Sequence, residues 1–94
     1  MSQYTISVKQ PAADQPVIVE GTGDRKVMYY LAGVGQNALE VLPEDTEVSV
    51  TLFEGDHKHL NFTGDAADAA GLIKARVLKI RRAVAATAGE PTAE

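Results

Sequence analysis

The chain has 94 residues, a formal net charge of −4, no cysteine, no tryptophan and 5% aromatic residues. That length supports one modest core, the lack of thiols excludes disulfide staples, thiolate zinc sites and thiol nucleophiles, and the scarcity of rings argues against stacking on bases or sugars. No apolar stretch approaches the roughly 20 residues of a membrane helix, and Met1–Ile6 lacks the basic start and apolar run of a signal peptide, so a cytoplasmic protein, or one in a particle assembled there, is expected.

Tyr4, Ile6 and Val8 alternate with Thr5, Ser7 and Lys9, the period of a strand with one buried face. Two prolines between Gln10 and Pro16 mark a connector, and Val17–Glu20 reads as a second, short strand. Gly21–Asp24 is turn chemistry. Arg25–Ala32 is apolar on both faces around Tyr29 and Tyr30, which predicts a central strand with the two rings on opposite sides. Gly33-Val34-Gly35 reads as a turn. Asn37–Leu42 is read as a strand ended by Pro43, although Ala38, Leu39, Glu40 and Leu42 are also good helix formers. In Glu47–Phe53 the inward set is Val48, Val50 and Leu52, Glu54-Gly55-Asp56 is a tight turn, and His57–Phe62 returns with Leu60 and Phe62 inward.

After Thr63-Gly64-Asp65 the period changes from two to 3.6, predicting a helix from about Ala66 to Ala86. Asp65 is the expected N-cap, Asp68 completes a capping box, and Gly89 and Pro91 stop the helix. The expected fold is α+β: an antiparallel sheet of five to six strands, a meander curled or barrel-like, packed by one long C-terminal helix. Residues 1–89 form the single domain and 90–94 a frayed tail.

Charge is unevenly spread. Residues 1–71 carry four basic and eleven acidic side chains, a formal −7, while Lys74–Arg82 holds five cations and no acid. At 100° per residue, Ala66, Ala69, Leu72, Ile73, Val77, Ile80 and Val84 share the inward side of the helix. Lys74, Leu78, Arg81 and Arg82 share the outward side, with Lys79 on its flank. A leucine ringed by cations resembles the centre of a protein contact with a charged rim. The plainer reading is a solvated basic face.

The expected function is therefore a non-catalytic protein–protein interaction module. Its partner would be another protein or other copies of itself, as in a self-assembling homo-oligomeric structural subunit of a virion or particle. One alternative is a small inhibitor or adaptor docking one host protein. A second is a nucleic-acid-associated protein using Lys74, Lys79, Arg81 and Arg82, against which stand the acidic remainder and the lack of a helix-turn-helix or RNP-like pattern.

Other patterns carry less. His57 and His59 lie two apart on a strand near Glu54 and Asp56, but the chain has only these two histidines, so no metal is expected. Gly33–Ala38 matches G-x-G-x-x-A, yet Pro43 follows too soon for the helix that a dinucleotide site needs. Asn61-Phe62-Thr63 matches a glycosylation acceptor by pattern alone. Ser2, Ser7 and Ser49 are not spaced with the histidines as a nucleophilic set, so neither catalytic residues nor a cofactor are expected.

Overall fold

The computed structural model describes residues 3–88. The predicted tail at 90–94 and the helix stop at Gly89 and Pro91 lie outside the described residues. Six elements follow one another: β1 (Tyr4–Lys9), β2 (Val17–Gly23), α1 (Arg25–Glu40), β3 (Glu47–Glu54), β4 (His57–Asp65) and α2 (Ala66–Ala88). The order is thus a hairpin and a helix, repeated once.

The strands form one antiparallel sheet in the order β2-β1-β3-β4. It has four strands, not five or six, and two open edges rather than a barrel seam. Nor is it a meander, because α1 carries the chain from β2 across β1 to β3. The central pair sets the register: Ile6 lies opposite Leu52 and Val8 opposite Val50. Alternation then puts Tyr4, Ile6, Val8, Val48, Val50, Leu52 and Leu60 on one buried face. Both helices cover that face, α1 over β1 and β2 and α2 over β3 and β4, and they pack on each other. Thr5, Ser7, Ser49, Thr51, Asn61 and Thr63 alternate to the opposite side, where Thr5 and Thr22 hydroxyls meet at 3.1 Å. The β3–β4 turn has two residues, with Gly55 at φ 58°, the left-handed conformation that the first loop position of a Gly-X hairpin requires.

α1 is the main correction to the sequence reading. The strand predicted at Arg25–Ala32, the glycine turn after it and residues 37–40 of the strand predicted at Asn37–Leu42 all belong to this helix, which runs through Glu40 with Val41 as its C-cap. Asp24 caps it, its side chain accepting from the Val27 amide at 3.0 Å. Met28, Ala32, Gly35 and Leu39 recur at spacings of four and three and are buried. Gly35 remains helical despite its weak propensity because a Cβ there would stand 3.0 Å from Val8 Cγ2. The helix lies close on β1, and a side chain at position 35 would press on Val8. Over β2 the end of the Leu31 side chain fills the space beside Gly21, where a Cβ would meet its Cδ1 at 2.7 Å.

α2 follows the predicted phase. Ala66, Ala69, Ile73 and Ile80 are buried, and Val77 and Val84 pack against the core. Ala70 joins the buried set, while Leu72, expected inside, is 37% exposed at the edge of that face. The first amides of α2 donate to the β3 approach: Ala66 N–H to Thr46 O at 2.8 Å and Ala67 N–H to Glu44 O at 3.3 Å. These bonds satisfy two of the four amides that a helix start leaves open, and the Ala67 amide is one that the Asp65 cap was expected to serve.

Val50 is fully buried at the centre of the sheet. Val50→Asp would place an unpaired charge there, at a cost of about 4 kcal/mol or more. The expected result is loss of a cooperative thermal transition followed by circular dichroism.

Candidate functional site

The exposed face of α2 is built from the positions that the core leaves out. Lys74, Leu78, Lys79 and Arg82 are all exposed, and Leu78 keeps 43% of its surface accessible. Gly71, Ala75, Leu78 and Arg82 follow at spacings of four, three and four, so Leu78 stands in a row of small residues with cations around it. Arg81, grouped with them by helical spacing, turns toward α1. It is exposed, but its guanidinium lies over the Tyr29 ring at 4.5 Å from the centroid. The outward basic group is therefore Lys74, Lys79 and Arg82 around Leu78, with Arg81 at its border.

The acids collect elsewhere. Glu40 ends α1, Glu44 and Asp45 lie in the following loop, Glu47 begins β3, Asp65 ends β4 and Asp68 lies in the first turn of α2. Glu47 and Asp65 are paired across the ladder, and the Ala66 and Ala67 amide bonds tie the loop to α2. Residues 40–47 and 61–73 contain no Lys or Arg. One end of the helix pair is thus acidic. It borders a groove of about 330 Å³ lined by Leu39, Glu40, Leu42, Glu44, Ala70 and Gly71.

A second polar cluster, which sequence spacing did not assemble, ties β1, β3 and β4 together. The β3–β4 register shifts between Leu52 and Phe53, leaving His59 as the extra residue of a bulge. Its Nε2 lies 2.9 Å from Glu54 Oε1, its ring stacks on Tyr4 at 6.1 Å, and His57 meets it edge-on at 4.6 Å. The two histidines do share a face, as their spacing predicts. Among the described residues, no group of three or more His, Asp or Glu converges as a metal site. Alternation brings Tyr4 and Glu54 together because they are register partners on the inward face. That signal was legible only once β1 and β3 were known to be neighbours.

Burial of the ring is the chief cause that raises the Tyr4 hydroxyl above the usual tyrosine value, followed by the charge of Glu54, whose carboxylate also accepts its hydrogen bond; Arg25 pulls the other way. A raised folded value means that the unfolded chain loses this proton first as pH rises. The contribution to stability is intact below about pH 10 and is lost as pH climbs through the folded value. Tyr4→Phe removes that linkage. Its melting temperature should fall less steeply than that of the parent protein above about pH 10, while identical slopes would contradict the assignment. No protein family, curated protein or solved structure matches this chain.

Proposed function

We propose that the protein is a non-catalytic protein–protein interaction module that works as a self-assembling structural subunit, of the kind that builds a virion or other particle. The observation that carries this reading is the separation of charge around an exposed leucine. Lys74, Lys79 and Arg82 surround Leu78 on α2, while Glu40, Glu44, Asp45, Glu47, Asp65 and Asp68 occupy the opposite end of the helix pair. A basic face on one copy and an acidic end on the next make a heterologous contact, which propagates into rings or helical arrays.

Magnitudes favour many weak contacts over one strong one. Exposed ion pairs contribute about 0.2–1 kcal/mol each and are screened beyond about 8 Å at physiological salt. Burying Leu78 adds about 2 kcal/mol at most. Such a contact is too weak to hold a dilute dimer but is reinforced by repetition.

Light scattering on the purified protein tests this. The mass should exceed that of two 10.0 kDa chains at low salt and fall as salt rises, with no nucleic acid retained in the absorbance ratio. Leu78→Asp should keep the melting temperature within a few degrees and abolish the salt-sensitive assembly. A variant that loses its cooperative transition would place Leu78 in the core, and co-purifying nucleic acid with a steep salt slope would favour phosphate binding instead.

A further inference from the structure

α1 has a second apolar row that the fold does not use up. Val27 is 40% exposed, Tyr30 71% and Val34 38%, and Val41, which caps the helix, is 83% exposed. Val27 also packs on Gly23 of β2, but Tyr30 and Val41 are mostly in solvent. Single exposed apolar residues are ordinary. Four lie on one row, three of them at intervals of seven, with the exposed amide of Asn37 between Val34 and Val41.

The adjoining row also runs at intervals of seven: Lys26, Gly33 and Glu40. Gly33 is a mid-helix glycine whose missing Cβ would meet nothing within 4 Å. Alanine there would favour the helix by about 1 kcal/mol, so the space is left open without benefit to this copy. Glu40 is steadied by Gln36, whose Nε2 donates to its Oε2 at 3.1 Å.

Val27 and Val41 are symmetrical about Val34, and the charges flanking them, Lys26 eight residues before Val34 and Glu40 six after, are opposite. We infer that α1 is a homodimer interface, pairing antiparallel with α1 of a second copy about a two-fold axis at Val34. Val34 then meets its own counterpart, Val27 approaches the partner's Val41, and Lys26 approaches the partner's Glu40. Gly33 lets the two backbones close on each other beside the axis. The antiparallel sense also aligns the helix dipoles favourably. Parallel pairing would set lysine against lysine and glutamate against glutamate. A two-fold contact needs a self-complementary patch, and this row is one. The surface is distinct from the α2 face and does not depend on it. Sixteen residues make a helix about 24 Å long, so the contact falls at the small end of interface sizes and the dimer should be weak and concentration-dependent.

The chain has no cysteine, so introduced thiols report position cleanly. The experiment uses the full chain carrying Leu78→Asp, which removes the α2 contact, and a short bismaleimide. Val34→Cys should cross-link to a covalent dimer. Val27→Cys alone should not, because two copies of residue 27 lie about 21 Å apart along an antiparallel pair, but an equal mixture of Val27→Cys and Val41→Cys should. Independently, Lys26→Glu and Glu40→Lys should each weaken dimerisation several-fold in sedimentation, and the double exchange should restore it. Equal cross-linking of Val34→Cys and Val27→Cys, or no rescue by the double exchange, would overturn the antiparallel interface. Failure here with assembly of the parent protein intact would leave the α2 reading standing, and the converse result would sink that reading alone.

Discussion

The structure depends on how closely α1 approaches the centre of the sheet. Val8, Val48 and Val50 have no accessible surface, and they reach that state because α1 lies over β1 and α2 over β3. Gly35 faces Val8, where an added Cβ would stand 3.0 Å from Val8 Cγ2, so the absence of a side chain there favours the close approach. With α1 seated there, α2 has one remaining place on the inner face, over β3 and β4. Its alanine-rich first half, with Ala66, Ala69 and Ala70 buried, suits a close approach to strands and to α1. Two hairpins and two helices thus share a single apolar layer.

Once both inner faces are committed, function has to be sought on what remains outside. The open side of the sheet is rich in hydroxyl and amide side chains, with Phe53 opposite Thr5 among them. The helices differ. α1 shows Val27, Tyr30, Val34 and Val41 to solvent, and α2 shows Leu78 within a basic surround. The charge asymmetry along the helix pair gives these faces direction, with carboxylates around the α1–β3 loop and cations along α2. The cluster of Tyr4, Glu54, His57 and His59 closes the opposite end of the sheet, and Arg81 over Tyr29 joins the two helices. No helix among the described residues is long and apolar enough to cross a membrane.

Much of this was readable from the residues alone. The alternation in β1, β3 and β4 is clean because each strand has one wet face, and the phase of α2 is clear because its apolar positions repeat at 3.6. α1 was hidden by its own surface. A helix with a buried row at Met28, Ala32 and Leu39 and an exposed row at Val27, Tyr30 and Val34 looks, in a short window, like a strand apolar on both sides. Gly33 and Gly35 then mimic a turn between two strands. The inconsistency that could have exposed the error was Asp24, a good N-cap placed directly before the segment. The outward position of Leu78 followed from spacing, whereas the turn of Arg81 toward Tyr29 required knowing that α1 was a helix beside it. The His59 contact with Glu54 depends on a bulge, which alternation does not announce.

The central claim is that this molecule presents two helical faces for association and uses its sheet only as a platform. A dilution series followed by amide chemical shifts tests it most directly. Concentration-dependent shifts confined to Lys26–Val41 and Lys74–Arg82 are the expected result. Shifts confined to the hydroxyl-rich side of the sheet or to the edges of β2 and β4, or spectra that do not change with concentration, would contradict it.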